Sequence, residues 1–169
     1  MFDFIFCPQC GGRLGSKIIG DEGEVPFCEL CKQPYFKQFP TCVIITVVNE
    51  DKKVILLKQN YVSETSHVLV AGYIKFGDTA DETVAKEVAE ETGQKVNKTK
   101  YLRSYFYEKS GMLMLGYIVF VNTKEIVKSS EVDEAEWFDF DTALTLVRKG
   151  STADKHLLSS IEYMRRYRK

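Results

Sequence analysis

The stretch "GDTADETVAKEVAEETG", residues 77–93, places six acidic side chains and one basic one between Asp78 and Thr92. Like charges three and four positions apart on a helix repel. The stretch nevertheless carries the punctuation of a helix. Thr79 and Glu82 form a Thr-x-x-Glu capping box, and Gly93 stands where a C′ glycine belongs. A helix is therefore expected from Ala80 to Thr92. At about 100° per residue, Val84, Ala85, Val88 and Ala89 share one face, with Glu87, Glu90 and Glu91 on the opposite one. Packing through the small, apolar face would turn the three carboxylates away from the core. Lys86 is the only base in the helix and cannot pair with all three. Two readings stand. Charge runs are usually solvated faces; alternatively the carboxylates await a hard divalent cation such as Mg²⁺, which takes oxygen ligands, keeps waters and adds substrate phosphates.

Outward from this helix, the chain has the texture of an ordinary globular protein: 169 residues, 44% hydrophobic, 28% charged, net charge −1. A near-neutral chain has no global field drawing it to nucleic acid or a membrane. No apolar run approaches the roughly eighteen residues needed to span a bilayer. The start, "MFDFIF", lacks the positive n-region of a signal peptide, so a cytoplasmic location is expected. The basic end "RRYRK" reads as a solvated terminus.

Disulfides are not expected in such a protein, yet it has five cysteines. Cys42 lies in the apolar run "TCVIITVV" and reads as a buried thiol. The other four form two Cys-x-x-Cys turns, Cys7/Cys10 and Cys28/Cys31, with seventeen residues between Cys10 and Cys28. Four thiolates close a tetrahedral site, as in structural zinc centres. A redox site needs only one pair. Gly11 and Gly12 suit the tight turn after the first pair, and a unit this small needs a staple to fold. The pattern resembles a zinc ribbon, expected over residues 1–36.

Past the linker "KQPYFKQFP", strands are expected in "TCVIITVV" and "KVILLKQ" as a hairpin, then in "HVLVAGYI", "KTKYLRSYFYE", "MLMLGYIVFV" and "EAEWFDF". Two further helices are expected. One runs from Asp141 to near Gly150. The other starts at Ser151 with a cap onto Asp154 and carries Leu157, Leu158, Ile161 and Met164 on one stripe. The expectation is an α+β (α/β) fold with a mixed sheet between helices, over residues 37–169.

Gly72, five residues, Asp78, seven residues, then "KEVAEETGQ" resembles the Nudix box. That box reads Gly, five residues, Glu, seven residues, Arg-Glu-U-x-Glu-Glu-x-Gly-U, where U is a bulky aliphatic. Gly72, Glu87, Val88, Glu90, Glu91 and Gly93 match. Asp78 stands for Glu, Lys86 for Arg and Gln94 for the last aliphatic. The family's Arg–Glu pair could survive as Lys86–Asp78, with a point donor in place of a fork. Gln94 is expected to cost only packing. The resemblance implies a Nudix hydrolase that cleaves the diphosphate of a nucleoside diphosphate linked to another group. It implies Mg²⁺ or Mn²⁺ held at Gly72, Glu87, Glu90 and Glu91, with one glutamate taking a proton from water.

Within the family the chain resembles the NADH pyrophosphatase branch. A zinc ribbon precedes the box, "LVAGYIKFGD" has Ala-Gly, Tyr35 and Phe36 follow the last ribbon cysteine, and "EAEWF" matches a late Glu-Ala-x-Trp segment. This resemblance implies Glu134 as a further metal ligand, Tyr73 as a platform for the substrate's base, and Phe36 as an aromatic facing a ligand across a homodimer. Ala153 matches a backbone substrate contact. "SYFYEKSGMLM" keeps Ser104 of the branch signature but none of its prolines. Implied substrates are NAD(H), cleaved to nicotinamide mononucleotide and AMP, or an RNA 5′-end bearing NAD. The alternatives are ADP-ribose, a nucleotide sugar, or a non-catalytic binding or regulatory module.

Overall fold

The computed structural model describes residues 4–166. The first three residues of "MFDFIF" and the last three of "RRYRK" lie outside that range. The chain divides into two compact units, Met1–Pro40 and Thr41–Lys169. The expected boundary at 36/37 falls within the linker stretch "KQPYFKQFP", and this division at 40/41 falls at its end.

The first unit is a three-stranded antiparallel sheet: β1 Gly15–Ile18, β2 Glu24–Cys28 and β3 Gln33–Pro34, in that order. Among its described residues few are buried, namely Cys7, Val25, Phe27 and Cys28. Gly11 takes a φ of +71°, closing the first cysteine turn, where Gly11 N–H donates to Cys7 O at 2.8 Å.

The second unit is built on β4 Thr41–Val48, whose "CVIITVV" is buried throughout. Such a run has helices or strands covering both of its faces. β4 runs parallel to β8 (Met112–Val121) and antiparallel to both β5 (Val54–Lys58) and β6 (Val70–Tyr73). β7 (Val96–Tyr107) and β9 (Glu134–Phe138) form the outer strands, giving the order β7-β8-β4-β5-β9, with β6 also on β4. This is the expected mixed sheet. On one face, Val84 and Val88 of α1 (Ala80–Thr92) pack on Val43, Ile45, Val47, Ile55 and Leu57. On the other, Ala143 of α2 (Phe140–Leu146) and Leu157 of α3 (Thr152–Arg166) pack on Cys42, Ile44, Val54 and Leu56. Alternate side chains of β4 thus serve opposite cores, as the pleat dictates.

Two helix faces differ from expectation. In α3, Leu157 is buried but Leu158 is 50% exposed, and the inner stripe continues through His156 and Ser160. These polar groups are buried because each finds a partner. Ser160 Oγ donates to Thr46 Oγ1 at 2.9 Å. His156 Nε2 lies 2.9 Å from Tyr117 O, and its Nδ1 lies 3.2 Å from the Tyr105 hydroxyl. Gly116 makes room for the ring, since a Cβ there would come within 2.7 Å of Nδ1. Burial then pushes the imidazole down to about 4, and it is neutral. In α1 the inner face holds Thr83, Val84, Val88, Glu91 and Thr92, while Ala85 and Ala89 are exposed. The reason is helical geometry. Seven residues come within about 20° of two full turns, so Glu91 lies almost directly above Val84.

Candidate active site

The acidic helix is fastened at both ends. Thr79 Oγ1 accepts from Glu82 N–H at 3.3 Å, and Glu82 Oε2 accepts from Thr79 N–H at 2.9 Å. This is the expected capping box, and it puts a carboxylate at the positive end of the helix dipole. Gly93 ends the helix in the left-handed conformation with φ +69°. Gln94 does more than fill space. Its side chain is buried, donates to the carbonyls of Thr92, Lys124 and Glu125 at 3.1–3.3 Å, and accepts from Lys124 N–H at 3.0 Å. An amide replaces the aliphatic because it ties the helix end to the loop after β8.

The three glutamates lie at graded depth. Glu90 is exposed, Glu87 half-buried and Glu91 only 6% exposed. Gly72 on β6 lies directly beneath Glu87, since a Cβ there would sit 2.0 Å from the carboxyl carbon of Glu87. Any side chain would displace that carboxylate. Lys86 is committed to Asp78 at 2.7 Å, so the only base of the helix is engaged away from Glu91. Burial, then the nearby charge of Glu90, raises the Glu87 carboxyl above its ordinary range, with Lys75 opposing the shift. Burial raises Glu91 to about 7. The hydrogen bond from Gln59 lowers it, the charge of Glu87 raises it further, and the backbone N–H of Ala71 lowers it slightly. One oxygen of Glu91, Oε2, is buried without a hydrogen-bond partner. A buried, partnerless carboxylate oxygen beside a second carboxylate is costly as it stands and suits a divalent cation.

Two neighbours are not legible in the sequence. Gln59, at the end of β5, donates from Nε2 to Glu91 Oε1 at 2.9 Å. Glu131 adds its charge to both Glu87 and Glu91. Glu134, three residues on, pairs with Lys58 at 3.8 Å. Of the residues expected to meet substrate, Tyr73 ends β6 directly after Gly72 and is 58% exposed. Ala153, near the start of α3, packs in the core beneath α2 and α3. Phe36 is 46% exposed on the first unit.

In that unit the four paired cysteines converge, with all Sγ atoms within 4.8 Å of one another, and they could hold a metal ion. Cys7 and Cys31 are 3.8 Å apart and Cys10 and Cys28 3.6 Å, close to the ~3.8 Å edge of a tetrahedron with Zn–S bonds of about 2.3 Å. Burial opposes ionisation of Cys7, but a 3.0 Å contact with the Tyr35 hydroxyl and backbone donors outweigh it and draw the thiol down to about 6. Cys31, hydrogen-bonded to Cys10 and partly buried, is pushed up to about 12. Without a cation the four thiols cannot all ionise. Among the described residues this is the one place where three or more such ligand atoms converge so closely; the carboxylates of α1 do not.

Residues 38–160 match the NUDIX domain family. The chain belongs to that family. It is 28% identical over 164 residues to the NAD-capped RNA hydrolase NudC of Vibrio atlanticus, a match that covers 95% of this chain and 59% of that protein. It is 30% identical over 162 residues to the protein of the same name from Salmonella agona, covering 95% and 61%. The chain therefore spans about 60% of the length of these curated relatives. The fold matches a NUDIX hydrolase from Nitrosomonas europaea with a TM-score of 0.74 at 19% identity, covering 98% of this chain and 94% of that one. It also matches the NUDIX domain of Shewanella oneidensis NrtR, solved with ADP ribose, with a TM-score of 0.66 at 15% identity, covering 76% and 90%. Among the described residues, no helix is long and apolar enough to cross a membrane.

Proposed function

We propose that this chain is a Mg²⁺- or Mn²⁺-dependent pyrophosphohydrolase acting on a dinucleotide such as NAD(H), with a structural Zn²⁺ in its N-terminal ribbon. The observation that carries the reading is the buried, partnerless Oε2 of Glu91, set in a group with Glu87 and Glu131 whose local base, Lys86, is already paired. Glu87, Glu90 and Glu91 would hold the catalytic cation with the Gly72 backbone. Glu134, implied by the resemblance, and Glu131, whose charge reaches both Glu87 and Glu91, are the two candidates for an additional carboxylate. A bound divalent ion supplies charge neutralisation on the diphosphate and a more acidic water. The protein's own groups do the rest. Lys86–Asp78 steadies the start of α1, Tyr73 offers a ring for a base, and a carboxylate of the set accepts the proton of the attacking water.

The NudC relatives point the same way on substrate: by name they act on NAD-capped RNA. The NAD diphosphate is the same bond whether the nucleotide is free or capping an RNA. A cytoplasmic homodimer, with Phe36 facing the partner's ligand, completes the proposal. The test is a panel of NAD(H), ADP-ribose, a nucleotide sugar and a 5′-NAD RNA with Mg²⁺ or Mn²⁺, products resolved, together with the solution mass. Nicotinamide mononucleotide plus AMP from NAD(H) is the expected result. No hydrolysis of any member would place the chain among non-catalytic binding modules.

A further inference from the structure

We propose that Gln59 is a positioning residue for the metal site: its side-chain amide holds Oε1 of Glu91, so that Oε2 is the oxygen offered to a divalent cation. This rests on Glu91 being a cation ligand, as proposed above. The amide and the carboxylate meet at 2.9 Å, with Gln59 5% and Glu91 6% exposed, so little water competes for either. Toward an ionised carboxylate only the NH₂ end of the amide can donate, and that end faces Glu91. Gln59 is itself held from behind. Its carbonyl accepts from Val62 N–H and Ser63 N–H, both at 2.9 Å, closing a turn at the end of β5. The next residue, Asn60, donates its N–H to Asp133 Oδ2 at 2.7 Å. The chain is thus pinned directly after Gln59, and the carboxylate it grips keeps one orientation. Oε2 is left buried with no partner. A side chain that only filled space would not divide the two oxygens in this way. Groups that orient a metal-binding carboxylate from behind commonly change metal affinity by about 10–100-fold when removed.

The test is Mn²⁺ binding by the full chain without substrate, followed by electron paramagnetic resonance, for wild type, Gln59→Met and Glu91→Gln. Met keeps the length of Gln and has no donor. Gln59→Met should bind Mn²⁺ about 10–100-fold more weakly while remaining folded, with a lower melting temperature without metal because Oε1 loses its donor. At saturating Mn²⁺ its KM for a hydrolysed dinucleotide should match wild type, because Gln59 touches Glu91 and not the substrate. In the Glu91→Gln background, Gln59→Met should cause no further loss of affinity. Wild-type Mn²⁺ affinity in folded Gln59→Met overturns the inference, as does additivity with Glu91→Gln. If Gln59→Met does not fold, Gln59→Asn is measured instead, since it stays polar but is too short to span to Glu91; wild-type affinity there overturns the inference equally. A wild type that binds Mn²⁺ but hydrolyses nothing defeats the proposed function and leaves the Gln59 comparison intact. A wild type that binds no Mn²⁺ defeats both.

Discussion

The cysteine ribbon and the acidic helix both collect potential metal ligands, but they are constructed in opposite ways. In the ribbon the four donors converge within 4.8 Å and two of them, Cys7 and Cys28, are among its few buried residues. The ligand set is much of the core. In the second unit α1 is held by Val84 and Val88 against a six-stranded sheet, whether or not its carboxylates have a partner. There Glu91, Glu87 and Glu90 range from buried to exposed and carry a charge that the fold tolerates rather than requires. The contrast separates a site where an ion would stand in for a hydrophobic core from one where an ion would visit a finished core.

The largest effect expected is on turnover. Glu91→Gln keeps the shape of the side chain and removes its charge, and hydrolysis should fall by about 10²–10⁴-fold. Near wild-type turnover on every active substrate would defeat the assignment. The same variant sharpens the contrast through pH. The Glu91 carboxyl is raised from 4.5 to about 7 in the folded protein. Between those values the folded state holds a proton that the unfolded state has released, so stability without added Mg²⁺ should fall as pH rises from about 4.5 to about 7. Glu91→Gln should flatten that slope in urea titrations and be at least as stable as wild type at pH 7. A steeper slope in the variant would contradict it.

The ribbon should respond in the reverse sense. Wild-type protein purified without chelator should carry about one Zn²⁺ per chain. Cys28→Ser should lose it and expose the amides of residues 4–40 to hydrogen exchange, while residues 41–166 keep wild-type protection. Unchanged protection in the ribbon would show that the ion is not its core.

Smaller effects follow at the edges of the active site. Tyr73→Ala should weaken substrate binding by about 1–3 kcal/mol if one base stacks on the ring. The readout is KM in a folded variant, and no change would remove Tyr73 from the site. Lys86→Ala should cost least. Its pairing with Asp78 joins a side chain 54% exposed to one 21% exposed, and such pairs contribute about 0.2–1 kcal/mol. A loss of turnover as large as that of Glu91→Gln would mean that Lys86 acts on the reaction directly.

The two regions also differ in how plainly the amino-acid order reveals them. The ends of α1 are legible because a capping box and a C′ glycine are local chemistry. The ribbon cysteines are legible because metal-ligand spacing is a short-range pattern. The depth of Glu91 is implicit in the seven-residue step from Val84, but the alanines at 85 and 89 point to a different face. Glu131 and Glu134 cannot be told apart by composition, and choosing between them requires knowing which one faces α1. Leu158 looks like core because apolar residues usually are, yet α3 instead buries His156 and Ser160, whose partners lie on Tyr117 and Thr46, far away in sequence.

The sequence by itself determined most strands of the second unit, both ends of α1, the four-cysteine set and the box spacing that places the chain among NUDIX domains, but not the end of α2 at Leu146 or the ribbon strands. These rest on capping, pleat and helix periods, and ligand spacing, all of which act over a few residues. The tertiary structure decided which glutamate is buried, why position 72 must lack a side chain beneath Glu87, and that Gln59 grips one oxygen of Glu91 across 32 positions of chain. Burial and through-space charge are set by segments that meet only when the sheet closes, so no window of sequence contains them.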